Sequence, residues 1–334
     1  MTENGSFLLT PNHKTEMGSY FIGDSVALLG SSALDYLKGK VQLLITSPPF
    51  PLNNKKSYGN LKGLEYKQWF TKLAPLFSEL LTENGSIVIE IGNSWLPERP
   101  IQSLLHLECL MDFVKHPDAN LRLCQQFICY NPSRLPSPAA WVNIKRIRLT
   151  DSYTNVWWMA KTDFPKADNR KVMRVYSEGM KALLRRQRYN PGKRPSEHVI
   201  SEDAFLTNNG GSIAHNVFEM EQMDPARDVR LPNAFSFSNN SSNDYFMRTC
   251  REQKIVPHPA RMPSGLAAFF IELLTDENDL VLDPFAGSNT TGYIAELKGR
   301  RWVSIEAKAD YSLQSQIRLS DPMLKADSQI PLDV

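Results

Sequence analysis

The chain has 334 residues, 42% of them apolar and 22% charged, with a formal net charge of +2. This is an ordinary globular balance, long enough for one large domain or a core domain with an insert. The four cysteines (109, 124, 129 and 250) form no C-x-x-C pair and have no paired histidines beside them, so no zinc site and a reducing, cytoplasmic setting are expected. "MTENGSFLLT" at the start lacks a basic n-region, and "GLAAFFIELL" (Gly265–Leu274) is too short to span a bilayer, so neither a signal peptide nor a membrane association is expected.

In chain order, Val41–Thr46 is apolar and rich in β-formers, and reads as a buried strand. It runs into Ser47-Pro48-Pro49-Phe50. Proline cannot donate to a strand ladder, so the strand stops there and leaves the sheet in a rigid turn. Glu65–Leu81 and Ile101–Val114 read as helices. "ENGS" (Glu83–Ser86) reads as the end of the first of these, with Gly85 as its C′ residue. Ser86–Ile91, Arg122–Tyr130 and Asn155–Lys161 read as strands. Glu90, at the end of its strand, reads as a solvated acid, with a proton acceptor standing behind the residues that touch the substrate as the alternative.

The alternation then breaks. Residues 162–254 carry the polar runs Thr207–Ser212 and Ser238–Asp244. From Lys166 to Arg194 there are ten basic residues, among them Arg185, Arg186, Arg188, Lys193 and Arg194, against Asp168 and Glu178. Such a local positive field suits nucleic acid or is a solvated helix face. The expected organisation is an α/β domain with a mostly parallel sheet, split into 1–161 and 255–334 by a smaller insert at 162–254.

After a helix at Pro263–Leu274, "DLVLDPFAGSNTTGYIAELKGRRWVSIE" (Asp279–Glu306) reads as a strand ending at Asp283, a glycine turn, a helix over Thr290–Leu297 and a strand over Arg301–Glu306. Glu306 stands about twenty residues past Gly287, as a ribose-binding acid does in dinucleotide folds. Glu306 can accept both hydrogens of a ribose diol, Asp283 can pair with an ammonium, and the N–H groups near Ser288–Thr291 can hold a carboxylate. Those three features together describe S-adenosyl-L-methionine. The dinucleotide alternative lacks G-x-G-x-x-G, and Asp283 would repel its pyrophosphate.

Tyr20–Phe50, His258–Gly292 and Arg300–Tyr311 resemble the motifs of bacterial amino-methylating DNA methyltransferases. Ser-Pro-Pro-Phe resembles the cytosine-N4 subgroup, and the catalytic motif precedes the cofactor motif, the permuted order called beta. The resemblance implies a Rossmann-like S-adenosylmethionine-dependent methyltransferase fold with a DNA-recognition insert, acting on a flipped cytosine in double-stranded DNA. It implies a restriction-modification context, without a stable endonuclease complex, and a monomer. Catalysis is expected from Ser47, Pro48, Pro49 and Phe50. Cofactor contacts are expected from Asp24, Asp283, Pro284, Phe285, Gly287, Ser288, Asn289, Thr290, Thr291 and Glu306. The family usually has glycine where Asn289 stands, and asparagine is the next most tolerant of left-handed backbone.

The chemistry explains the prolines. The lone pair of an exocyclic amine is delocalised into the base, and acceptors for its hydrogens draw the nitrogen toward tetrahedral. The Ser47 hydroxyl and the Pro48 carbonyl are two acceptors at pre-organised positions. Phe50 offers a stacking surface for a base taken out of the duplex. C5 methylation would need a cysteine nucleophile, and no Pro-Cys dipeptide occurs. No ligand cluster supports a metal route. Adenine N6 methylation remains the nearest alternative, since both amines need the same acceptors. A DNA-binding protein without catalysis is disfavoured by the intact turn and the Asp283/Glu306 pair, and an RNA or small-molecule methyltransferase by the basic insert. For the cofactor to lie beside Ser47, the strands at Val41–Thr46 and Asp279–Asp283 must be neighbours.

Overall fold

The structure, a computed structural model, describes residues 9–51, 61–131, 134–219 and 244–326. The N-terminal residues 1–8, residues 220–243 with most of the second polar run, and the C-terminal residues 327–334 lie outside it.

The first half holds β1 (His13–Lys14), β2 (Gly18–Ile22), α1 (Ser25–Leu29), β3 (Val41–Thr46), α2 (Gly63–Leu80), β4 (Leu81–Gly92), α3 (Leu105–Val114), β5 (Arg122–Tyr130) and β6 (Tyr153–Ala160). Then come α4 (Glu178–Arg186), the small strands β7 (Gly192–Lys193), β8 (Val199–Ile200) and β9 (Val217–Glu219), and α5 (Tyr245–Glu252). The last part holds α6 (Ser264–Leu274), β10 (Leu280–Asp283), α7 (Thr290–Leu297), β11 (Arg301–Glu306), α8 (Asp310–Leu319) and α9 (Met323–Ala326).

Among the described residues, nine strands form one sheet in the order β1-β2-β11-β10-β3-β4-β6-β5-β9. The strands from β2 to β4 in that order run parallel, and β6 is antiparallel to both β4 and β5. All six residues of β3 are buried. Both faces of a central parallel strand are covered, so it reads as an unbroken apolar run. On one face Tyr66, Phe70 and Phe77 of α2 and Phe113 of α3 pack with Leu44, Ile87 and Trp157. On the other, Phe270 and Ile271 of α6 and Ile294 of α7 pack with Leu43, Ile45 and Val281.

The expected pairing holds: β10 lies beside β3, in parallel. Two local expectations are corrected. Gly85 does not end a helix. Helix α2 stops at Leu80, Leu81 turns extended and pairs with Val41, and the register then shifts. Gly85 sits in that irregularity, where a Cβ would lie 2.9 Å from the Val41 carbonyl, so close backbone approach requires glycine there. Helix α3 begins at Leu105 rather than Ile101, because Gln102 is held in a bridge to Trp95.

Parts of residues 162–254 join the main body. β9 pairs with β5 at the sheet edge, and α5 packs Phe246 and Cys250 against Ile317 of α8. No helix among the described residues is long and apolar enough to cross a membrane.

Candidate active site

The turn after β3 is held from behind. The Tyr66 hydroxyl donates to the Pro49 carbonyl at 2.8 Å. The Phe50 ring lies over Gly92 at the end of β4, where a Cβ would come within 2.6 Å of it. Glu90 of β4 is 7% exposed, which corrects the expectation of a solvated acid. It faces the turn because β4 is the parallel neighbour of β3. Burial pushes its carboxyl above the usual range, against hydrogen bonds from the Thr154 and Ser47 hydroxyls and the charge of Arg134. The Thr154 bond is 3.0 Å.

The β10 end meets the same place. Asp283 is 3% exposed and accepts from Thr46 Oγ1 at 2.7 Å, Thr291 Oγ1 at 2.7 Å and the Phe285 N–H at 3.0 Å. Burial, only partly offset by these donors, pushes its carboxyl up to about 6, and the charge of Glu306 adds to the rise. Glu306, at the end of β11, accepts from the Gly287 and Lys308 N–H groups, both at 2.9 Å. Burial raises it as well. Gly287 is left-handed at φ 52°, and its carbonyl accepts from the Tyr20 hydroxyl at 2.8 Å.

Between these ends lies a cavity of about 310 Å³ that reaches from Ser47, Pro48, Pro49 and Phe50 to Asp24, Asp283 and Glu306. Phe285, Gly287, Ser288 and Thr290 also line it. The remaining expected cofactor residues do not, and each supports the turn instead. Pro284 accepts from the Ser25 hydroxyl through its carbonyl. Thr291 donates to Asp283. Asn289 is fully buried and left-handed (φ 62°), as expected of a residue standing in for glycine. Its side chain caps Gly292 and bonds Ser304 and Ser315, turned into the fold. Its N–H goes to the Ala286 carbonyl, so it is unavailable for a carboxylate. Asp24 caps α1 through Ala27.

Thr46, Tyr66, Trp69, His258 and Tyr311 were not singled out in the sequence. The last four line the cavity. Burial lowers His258 to about 4, so it is neutral at physiological pH. A lone polar residue at the end of the apolar run Val41–Ile45 was a usable signal for Thr46; nothing local marks the aromatics.

The basic stretch separates into two groups. Lys166 pairs with Asp276 and Asp279, and Lys171 with Asp276, at the N-terminal edge of β10, opposite the cavity. Arg170 and Lys181 pair with Asp168 and Glu178. Arg185, Arg186, Arg188 and Lys193 are exposed, and Arg194, half-buried, lies over the Tyr189 ring.

A doubly wound sheet with an acid-lined cleft at its topological switch point, and a rigid turn of acceptors opening into that cleft, defines an α/β group-transfer enzyme. Residues 41–316 match the family described as DNA methylase, and the chain belongs to that family. It is 39% identical over 313 residues, 93% of this chain and 86% of the relative, to the type II methyltransferase M.PvuII of Proteus hauseri. It superimposes on the structure of the PvuII DNA methyltransferase (cytosine-N4-specific) with a TM-score of 0.69 and 32% identity, covering 96% and 97% of the two chains. A putative DNA modification methylase of Thermus thermophilus, complexed with S-adenosyl-L-methionine, shares the fold at 17% identity and a TM-score of 0.50, covering 90% and 92%.

Two outcomes are expected from this geometry. A carboxyl whose folded pKa is raised binds its proton more tightly in the native state, so ionising it costs stability. Asp283 therefore makes apoprotein stability fall as pH rises from about 4 to about 6. Urea unfolding across that window should show a smaller fall in Asp283→Asn, and equal slopes would remove the assignment. Gly92→Ala should push the Phe50 ring out of place and lower turnover on the order of tenfold, by misplacing a positioned group rather than by unfolding; unchanged kinetics would show that the ring relaxes freely.

Proposed function

We propose that the protein transfers a methyl group from S-adenosyl-L-methionine to the N4 amine of a cytosine flipped out of double-stranded DNA. The observation that carries this reading is the parallel pairing of β3 with β10, which opens the Ser47–Phe50 turn and the Asp283/Glu306 acids into one cavity. The cytosine-N4 specificity of the similar PvuII enzyme supports it over adenine N6.

The cavity suits the cofactor. Glu306 keeps lone pairs beyond the two N–H groups it accepts and can receive a ribose diol. Asp283 and Glu306 together favour a ligand carrying positive charge and disfavour a pyrophosphate. When bound, S-adenosylmethionine supplies an electrophilic methyl on a sulfonium. The residues of the turn prepare the nucleophile. Ser47 donates its hydroxyl hydrogen toward Glu90, so its lone pairs are left to accept from the target amine. The Pro48 carbonyl accepts the second amine hydrogen, and Phe50 stacks on the base. As the amine gains its methyl, it passes a proton to Ser47, and the Ser47 proton goes to Glu90. A buried carboxyl with a raised pKa is suited to keep it.

Arg185, Arg186, Arg188, Lys193 and Arg194 are assigned to DNA phosphates, with residues 162–254 reading the target sequence. The protein acts as a cytoplasmic monomer and protects host DNA alongside an endonuclease that it does not stably bind.

Ser47→Ala should keep cofactor and DNA affinity and lower turnover on the order of a hundredfold, as loss of one transition-state acceptor does. The product, read by mass and retention, should be N4-methylcytosine; N6-methyladenine would overturn the base assignment, and full turnover in the variant would reduce Ser47 to a strand stop. Replacing Arg185, Arg186 and Arg188 by glutamine should weaken specific and non-specific duplex binding alike and flatten the salt dependence by roughly one unit of slope per lost contact. An unchanged slope would place the phosphates elsewhere.

A further inference from the structure

The loop from β5 to β6 has no role in the reading above. Its described part, residues 134–152, rises from the same sheet edge as the catalytic turn. Tyr130 pairs with Tyr153 at its root, and Gly92, under the Phe50 ring, pairs with Thr154. The root is pinned: the Asn131 N–H donates to Ser152 O at 2.7 Å, and Arg134 Nη1 donates to Tyr153 O at 3.1 Å. The charge of Arg134 acts on Glu90, the acid hydrogen-bonded to Ser47. The loop therefore starts beside the place that receives the base.

It is built rather than slack. Residues Ala140–Ile144 form a wide, π-type helical turn closed by the Lys145 N–H on the Ala140 carbonyl, and the N–H groups of Ile147 and Arg148 return to the Trp141 carbonyl. Lys145 Nζ lies 4.5 Å from the Trp141 ring centre, and Arg148 lies over Trp95 while pairing with Asp151. Yet this ordered loop holds four large aliphatic side chains in water: Leu135 is 81% exposed, Ile144 77%, Ile147 60% and Leu149 89%. They alternate with cations in Ile144-Lys145-Arg146-Ile147-Arg148-Leu149, and Arg134, Lys145 and Arg146 are exposed too. The loop's one acid, Asp151, is already taken by Arg148.

A surface that is both aliphatic and cationic fits a ligand with anionic edges and an apolar interior. Duplex DNA is such a ligand once a base pair is opened. Phosphates flank the gap, and the faces of the neighbouring bases line it. Apolar wedges set among basic residues act in this way when they enter a base step.

We infer that the 134–152 loop is a DNA wedge. Lys145 and Arg146 hold phosphates beside the target, and an aliphatic side chain from the Ile144–Leu149 run enters the stack where the target base leaves it. The inference rests on duplex DNA being the substrate.

The test uses the full chain and a synthetic duplex carrying the site mapped in plasmid DNA that the protein has methylated. The target cytosine is either paired with guanine or mismatched with adenine; a second duplex carries 2-aminopurine at the target position. In the triple variant Ile144→Ala, Ile147→Ala, Leu149→Ala, all three positions are exposed, so the fold should persist. On the paired duplex, turnover and the 2-aminopurine fluorescence rise should drop on the order of tenfold or more; on the mismatched duplex, where extrusion costs less, the loss should be far smaller. Equal losses on both duplexes, or none on either, would overturn the wedge. So would an unchanged fluorescence rise with an altered sedimentation coefficient, which would mark the patch as an interface between copies of this chain. Absence of methylated plasmid from the wild-type protein would instead overturn the substrate reading itself.

Discussion

The hydrogen bond from Thr46 Oγ1 to Asp283 Oδ1 joins the last residues of two strands that lie 237 positions apart in the chain. Most of the site follows from it. Parallel neighbours leave the sheet at the same edge, so the turn after β3 and the turn after β10 must open into one space. The bond also fixes how far along their axes the two strands end relative to each other. A one-residue slip would move Thr46 to the other face and leave Asp283 buried with one donor fewer.

A second constraint is electrostatic. Asp283 and Glu306 line the cavity and Glu90 lies buried behind the turn that opens into it, and the burial of each carboxyl, partial for Glu306, raises it. Each is kept in place by donors from its surroundings: two hydroxyls for Glu90, two hydroxyls and an N–H for Asp283, backbone N–H groups for Glu306. None of these donors is a cation. The acids are thereby oriented without being neutralised. They retain the capacity to attract a positive ligand or to take up a proton, and the cost in apoprotein stability is the reverse side of that capacity.

The central part of the sheet was legible from sequence because its strands are covered on both faces, and covered parallel strands write themselves as apolar runs; β3 and β11 fall where that pattern puts them. The turn residues were legible because proline and glycine have backbone consequences at their own positions. What stayed hidden depends on lateral neighbours. Glu90 reads as a strand-end acid until β6 is laid against β4 and brings Thr154 to it. Gly85 reads as a helix stop until Val41 is known to pass beside it. The basic stretch reads as one field until Asp276 and Asp279 take up Lys166 and Lys171. Asn289 shows the opposite case: its left-handed backbone was foreseeable, but its side chain is aimed by Ser304 and Ser315, which only the fold supplies.

The placement of Glu90 gives a reason for serine, rather than an acid, at the head of the catalytic turn. Two carboxylates in hydrogen-bond contact cannot both ionise in a buried site, so one of them keeps its proton and ceases to be a free acceptor. With Glu90 behind the turn, a carboxylate at position 47 would share a proton with it, and the site would lose an acceptor lone pair. A hydroxyl avoids the conflict. It donates inward to the acid, and in the proposed reaction it accepts outward from the amine and carries a proton from one to the other without itself holding charge. The prolines on its C-terminal side fix the backbone that aims it, and Tyr66 fixes the prolines. In the proposed reaction, serine at 47, acid at 90 and rigid turn would thus form one device, in which the negative charge is kept one layer back from the base and reaches it through a hydroxyl.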